Sequence, residues 1–163
     1  MTTTTKTKQP KITAAQILQH LSRLHEDQKP PWVFYSEVKN GPSWGQKGPL
    51  GQKSSKLYIM DAVAIKKSWS SPCIEGFEIK VNRSDFTQDK KWQNYQAYCH
   101  KFSFVCPVGL IKLDELPGDV GLLYYNPEHD CLFTKRRAMY RKIDLRSPEV
   151  VGMLMYLTMY RCG

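Results

Sequence analysis

Ile-Glu-Gly-Phe-Glu-Ile-Lys-Val (residues 74–81) decides the fold, because its alternation is that of a strand and its polar residues carry chemistry. Phe77, Ile79 and Val81 point to one side, and Glu78 and Lys80 to the other. A carboxylate and an ammonium therefore share one strand face, about 7 Å apart at two residues' rise. A second apolar run, Leu-Tyr-Ile-Met-Asp-Ala-Val-Ala-Ile (57–65), sets Asp61 on the face of Leu57, Ile59, Val63 and Ile65. A carboxylate there is costly to bury unless it is paired or binds a metal. Asp followed by Glu-x-Lys on neighbouring strands is what metal-assisted phosphodiester hydrolysis needs. Glu-x-Lys alone is a weak signal, since the same spacing also makes a surface ion pair on any amphipathic strand.

Outward from this pair, the chain reads as alternating strands and helices. Upstream, Thr13 and Gln16 form a capping box and Ile12 with Ile17 a hydrophobic staple. Ile17, Leu18, Leu21 and Leu24 then make the apolar stripe of a first helix. Pro30-Pro31 stops it and hands over to a strand at 32–35 that ends near Glu37. Residues 40–56, with four glycines and two prolines, are a long loop carrying Trp44, Lys47, Lys53 and Lys56. Downstream, Asp85 is placed to cap a helix with Gln88 three residues on, and Phe86, Trp92, Tyr95 and Cys99 fall on its buried side. Phe-Ser-Phe-Val-Cys (102–106) is the next strand. Strand–helix–strand over 74–106 is a crossover, so those two strands are expected to be parallel and the connection right-handed. Runs 120–125 and 131–134 are further strands joined by a turn, and Ser147-Pro148 starts a final helix, 148–160. That helix is apolar on most sides, so it is expected either to be deeply buried or to meet another subunit. The whole predicts an α/β domain: three layers, with a mixed central sheet flanked by helices, over residues 12–163, behind a disordered tail at 1–11.

The charge balance narrows the partner. Twenty-four Lys and Arg against fifteen Asp and Glu give a net charge of +9, which favours a polyanion, most simply nucleic acid. The N-terminal stretch has no apolar signal region and no run reaches the length of a membrane span. The five cysteines form no Cys-x2-Cys pair, which argues against zinc and for reduced thiols. A cytoplasmic protein, of a bacterial cell or a phage-infected host, is the expectation.

As chemistry, Asp61 and Glu78 are suited to hold Mg²⁺ or Mn²⁺ through oxygen, with the main-chain carbonyl of Ile79 as a further ligand. Lys80 is suited to orient or help deprotonate the water and to stabilise the transition state. A longer run extends the signal. Glu-Gly-Phe-Glu-Ile-Lys-Val-Asn-Arg-Ser-Asp-Phe-Thr-Gln-Asp-Lys-Lys-Trp-Gln-Asn-Tyr (75–95), then Cys99, Phe-Ser-Phe-Val-Cys-Pro (102–107) and Glu-Leu-Pro-Gly-Asp-Val-Gly-Leu-Leu (115–123), resembles the PD-(D/E)xK nuclease superfamily. Within it the run is most similar to MmcB-like DNA-repair nucleases and related phage proteins. The resemblance covers about half of the chain. It implies a restriction-endonuclease-like fold, metal ligation by Asp61 and Glu78, and Lys80 as the catalytic lysine. It also implies an earlier acidic residue, for which Glu37 fits better than Glu26. The superfamily's proline before the aspartate is Met60 here, and its Val after Glu is Ile79.

Other residues divide between structure and substrate. Asp85 reads as a helix cap and Trp92 as core, whereas Lys91 and Tyr95, one helical turn apart, can face the site together. Glu75 shares Phe77's face and reads as a solvated strand edge. His100, after a helix end, reads as a cation complementing the helix dipole. Lys135, Arg136 and Arg137 with Arg141 and Lys142 form a basic concentration, and Lys47, Lys53 and Lys56 another, both suited to DNA phosphates. The expected function is a divalent-metal-dependent DNA nuclease, endonucleolytic, acting in repair, recombination, restriction or phage DNA metabolism. The alternative is a catalytically inactive nuclease-fold module that binds DNA or protein. A homodimer or a partner protein, docked on the apolar last helix, is expected to supply specificity.

Overall fold

A computed structural model describes residues 11–40 and 57–161. The tail at 1–10 and the lysines Lys47, Lys53 and Lys56 of the glycine-rich loop lie outside these residues. The elements are α1 (Ala14–Glu26), β1 (Trp32–Lys39), β2 (Ile59–Lys66), β3 (Ile74–Ile79), α2 (Arg83–Gln88), α3 (Trp92–Tyr95), β4 (Lys101–Pro107), β5 (Gly121–Asn126), β6 (Cys131–Arg136) and α4 (Pro148–Tyr160). The strands form one six-stranded sheet in chain order. β1–β2, β2–β3 and β5–β6 are antiparallel, while β3–β4 and β4–β5 are parallel. The sheet is therefore mixed, and the crossover after β3 delivers the parallel neighbour that its length requires.

Helices cover both faces, giving the three-layer architecture. On one face α1 packs Ile17 and Leu21 against Ala62, Ala64, Phe77, Ile79, Val105 and Tyr125. On the other, Tyr95, Tyr98, Phe102, Phe104, Val150, Met153 and Leu157 join Val63 and Ile74 in a larger core. Helix α1 has both bonds of its capping box, but its buried stripe is Ile17, Leu21 and His25, with Leu24 exposed. His25 turns inward because its ring has partners there. Nδ1 lies 2.8 Å from the Leu21 carbonyl, and the ring packs against Trp32, Phe34 and Phe77.

The predicted single helix after β3 is two short helices with a break. Asn82, not Asp85, is the N-cap residue of α2, and Asp85 sits in the first turn accepting from Asn82 Nδ2 at 2.9 Å. The helix stops at Asp89, which is extended (φ −73°, ψ 113°) and whose side chain accepts the Lys91 N–H at 2.8 Å. That side-chain-to-backbone bond offers the chain an alternative to continuing the helix. Trp92 then lies flat on Phe102, as a core residue should. Gly121, at the start of β5, has no room for a side chain: a Cβ there would collide with Ser103 Oγ and stand 2.8 Å from the Ala138 nitrogen.

Two single-residue readings are corrected. Glu75 is not a solvated edge: it bonds Lys101 Nζ at 2.9 Å and lies 3.7 Å from His25 Nε2. His100 is buried, and its Nδ1 accepts the Ile74 N–H at 3.0 Å, so burial holds its pKa down and it is no helix-end cation. Helix α4 is half-buried, with Val150, Met153 and Leu157 inside and Met155, Met159 and Tyr160 exposed. No helix among the described residues is long and apolar enough to cross a membrane.

Candidate functional site

The site lies where β2 and β3 stop pairing. Their register runs from Ile65↔Ile74 to Ala62↔Phe77 and ends there. One step on, Asp61 reaches across and its Oδ2 accepts the Ile79 N–H at 2.7 Å. A side chain thus replaces the next rung of the ladder and brings the Asp61 carboxylate beside Glu78. On β1, Ser36 and Val38 pair with Ala62 and Met60, so Glu37 stands opposite Asp61. Glu37 has φ 49°, a left-handed backbone uncommon for a residue with a side chain. Alternation is interrupted at this point on both strands. Val38 and Met60 pack in the same cluster as Val63, from which strict alternation would separate Met60. The local distortion turns Glu37 outward into solvent while keeping Val38 in the core. Backbone outliers of this kind concentrate at functional sites.

Glu78 and Lys80 point to the same side, as alternation requires, and are buried at 6% and 8% exposure. Lys80 Nζ bonds Glu78 Oε1 at 2.9 Å and Asp89 Oδ2 at 2.6 Å. Glu78 Oε2 is buried and has no hydrogen-bond partner. Burial, then the Asp61 charge, pushes the Glu78 carboxyl up to about 8. Burial also raises Asp61, against the pull of the Ile79 N–H and of Lys80, with Glu37 adding a small push upward. For Lys80, burial works to remove the proton, but the Asp89 and Glu78 carboxylates outweigh it and raise the pKa. Asp89 is held below its ordinary value despite burial, through its bonds to Lys80 and to the Lys91 N–H. Three carboxylates, Glu78, Asp89 and Asp61, thus act on one ammonium that stays charged.

These groups open into a cleft of about 330 Å³ lined by Glu78, Lys80, Asp85, Gln88, Asp89, Lys90, Lys91 and Tyr95. Lys91 and Tyr95, singled out from their spacing, both line it. Tyr95 is buried, and burial together with the Glu78, Asp89 and Asp61 charges raises its hydroxyl well above the ordinary tyrosine value. Asp89 is the residue that the sequence reading passed over. Its signal was available in Asp89-Lys90-Lys91, an aspartate followed by two lysines inside a run that reads as continuous helix. Among the described residues, no three His, Cys, Asp or Glu side chains converge to hold a metal ion. The donor set here is the pair Asp61 and Glu78. Two carboxylates, one oxygen of which is buried with nothing to bond, fit Mg²⁺, which takes few protein ligands and keeps several waters.

The basic concentration near the C-terminus stands elsewhere. Arg136 is spent on the backbone: Nε donates to the Val120 carbonyl at 2.9 Å, and the terminal nitrogens donate to Leu113, Leu116 and Pro117 at 3.4, 3.5 and 2.7 Å. Arg137 is exposed. Neither lines the cleft.

Comparison with known proteins identifies a family and a similar fold. The sequence profile of a family described as DNA repair protein MmcB-like matches residues 59–142, just over half of the chain, and the chain belongs to that family. The match runs from the start of β2 through the strap that follows β6, so it contains Asp61, Glu78, Lys80 and Asp89. No curated protein matches the chain. A solved structure of a Silicibacter pomeroyi protein described as of unknown function is similar in fold, with a TM-score of 0.58 at 18% identity. That similarity covers 93% of this chain and 88% of the other.

Proposed function

We propose that this member of the MmcB-like DNA repair family is a divalent-metal-dependent DNA nuclease of the PD-(D/E)xK type, cutting phosphodiester bonds endonucleolytically. One observation carries the reading. Asp61 and Glu78 are brought together where the β2–β3 pairing ends, with Lys80 on the face of Glu78 and one Glu78 oxygen buried and unbonded. Maintaining such a cluster costs stability, and a module that only binds would have no need of it.

Asp61, Glu78 and the Ile79 carbonyl would hold Mg²⁺ or Mn²⁺, with Glu37 opposite Asp61 as an outer carboxylate. When bound, such an ion lowers the pKa of water and neutralises charge on a phosphoryl oxygen. The protein's own contribution starts from Lys80. Its raised pKa keeps it an ammonium, so its part is to orient water and to stabilise negative charge that builds on the phosphate, rather than to remove a proton. Two of its donors are fixed by Glu78 and Asp89, which leaves the third for substrate. Lys90 and Lys91 on the rim of the cleft would take flanking phosphates, with Lys47, Lys53, Lys56 and Arg137 as further contacts. Tyr95, kept protonated by burial and then by the carboxylates around it, would donate rather than accept.

The test is cleavage of duplex, branched and single-stranded DNA panels with Mg²⁺ or Mn²⁺, wild type beside Lys80→Ala. Metal-dependent nicking by wild type and at least a hundredfold loss in the variant are expected, the scale of removing one transition-state donor. DNA binding without cleavage of any substrate would instead make the chain a binding module. Equal cutting by the variant would remove Lys80 from the mechanism.

A further inference from the structure

The end of the sheet opposite the cleft has the opposite electrostatic character. β3 starts there at Ile74 and runs four residues to Glu78, about 13 Å of strand rise. Three backbone links tie this end together. The Lys66 N–H bonds the Cys73 carbonyl, the His100 N–H bonds Ile74, and the Arg141 N–H bonds His100. The β2–β3 hairpin tip and the strap after β6 are therefore neighbours across the start of β3 and β4.

Two aromatic rings stand out of this surface. Trp69, at the hairpin tip, is fully solvated. The tip that carries it is tied by its own side chains: Ser71 N–H donates to Ser68 Oγ at 3.2 Å, and Lys66 Nζ donates to Ser71 Oγ at 3.1 Å. Tyr140, in the strap, lies on the buried His100 ring at 5.0 Å and 22°, yet is 58% exposed. One of its faces is thus fixed against the protein and the other is presented to solvent. Lys66 and Lys67 precede Trp69 at the hairpin and Arg137 precedes Tyr140 in the strap, and no carboxylate among the described residues forms an ion pair with them. Lys101 lies between them but is neutralised by Glu75.

From this juxtaposition we propose that the hairpin tip and the strap form a second nucleic-acid face that holds unpaired DNA. Bases stack on Trp69 and on the free side of Tyr140, while Lys66, Lys67 and Arg137 take the phosphates. Rings with open faces interleaved with cations are what single strands bind, because every base has a face to stack. Duplex would leave the rings idle, since its bases are already stacked. The face lies at the far end of the sheet from the carboxylates, so it anchors the strand away from the cleft.

The experiment is binding of fluorescein-labelled oligo-dT in EDTA, read by anisotropy and by quenching of tryptophan emission. An abasic oligomer of the same length supplies phosphates without bases. Trp69→Ala is expected to weaken oligo-dT binding about fivefold to a hundredfold, abolish most of the quenching and leave the abasic oligomer unaffected. Lys67→Ala is expected to weaken both oligomers alike and to lower the slope of log affinity against log salt by about 0.7. Trp69 is fully exposed and touches no core residue, and a melting curve matching wild type excludes misfolding. Oligo-dT binding unchanged in Trp69→Ala, an equal loss for both oligomers in that variant, or absence of DNA binding would each overturn the proposal. The readout needs no metal and no cleavage. A protein that binds through this face but never cuts would refute the nuclease reading alone, and one that cuts while Trp69→Ala binds normally would refute this inference alone.

Discussion

Replacing Glu78 by Gln should make the metal-free protein more stable at neutral pH while removing cleavage. The reason is the cost of a charge that the fold buries beside a second carboxylate, with one of its two oxygens unbonded. Glu78 is 6% exposed, one of its oxygens bonds only Lys80, and the other bonds nothing. Burial and the Asp61 charge raise its pKa from 4.5 to about 8. The sign follows from which state holds the proton. Below pH 4.5 the carboxyl is protonated in both the folded and unfolded chains, and the shift contributes nothing. Between 4.5 and about 8 the unfolded chain releases a proton that the folded chain retains, so stability falls by about 1.4 kcal/mol per pH unit. Above the folded value both states are ionised and the penalty levels off.

From pH 4.5 to 7.5 the wild type should therefore lose about 4 kcal/mol relative to a variant with no carboxyl to ionise. Gln supplies that comparison. Its carbonyl can still accept from Lys80, its amide N–H groups take the place of the unbonded oxygen among carboxylates, and Asp89 still holds the ammonium. Urea unfolding in EDTA at several pH values between 4.5 and 9 measures the difference. At typical urea slopes, about 4 kcal/mol moves the midpoint by about 1–4 M. The variant's advantage should grow across this range and then flatten. A difference independent of pH, or a variant that loses ground as pH rises, would refute the assignment of Glu78 as a buried, frustrated carboxylate. Cleavage by the same variant should be at background.

Asp89→Asn should leave the fold intact but lower cleavage by about ten- to a hundredfold, on the scale of losing a hydrogen bond to a charged group. Because the carboxylate that raises the Lys80 pKa is gone, the basic limb of the pH–rate profile should move to lower pH, which a purely structural role would not do. Arg136→Ala should destabilise by about 2–4 kcal/mol, since the carbonyls of buried or half-buried Leu113, Leu116 and Val120, and of exposed Pro117, lose their donor, and melting curves read this directly. Its salt dependence of DNA binding should match wild type, whereas Arg137→Ala should lower the slope.

The parts of this fold legible in the sequence are those where one local pattern has one structural meaning. The alternation over 74–81 sends Glu78 and Lys80 to one face because a strand has period two. Thr13 with Gln16, and Ser147 with Pro148, mark the helix starts because few residue types can satisfy free backbone N–H groups. The failures share another cause. Arg136 sits in a run of three cations and looks like solvated surface, but a guanidinium on a flexible stem can fold back onto any loop whose carbonyls need donors. The loop at 113–120 that needs them is about twenty residues away in sequence. His25 follows the same logic, since its value inside the core depends on Leu21, Glu75 and three aromatic rings that only the folded sheet assembles.

Asp89 shows why the site itself was only partly legible. Read along the chain, it is one more acidic residue in a polar helix. In the fold it ends that helix, and ending the helix is what turns its carboxylate toward Lys80, nine positions earlier on the strand. Conformation and chemistry depend on each other here. Without the bond from the Lys91 N–H the helix would continue and carry Asp89 away, and Lys80 would have only Glu78, whose pKa is itself raised. A lysine paired solely with a carboxyl that is half protonated near pH 8 would not be a dependable ammonium. Asp89, held low by two donors, supplies the fixed negative charge that keeps Lys80 positive while Asp61 and Glu78 stay available for a cation. The constellation proposed to cut is then five residues rather than three, with Asp89 securing the lysine and Glu37 assigned to the acidic side. In the proposed nuclease, the carboxylates of the cleft repel a polyanion, so a chain of net charge +9 would grip DNA with cations on the cleft rim and beyond it.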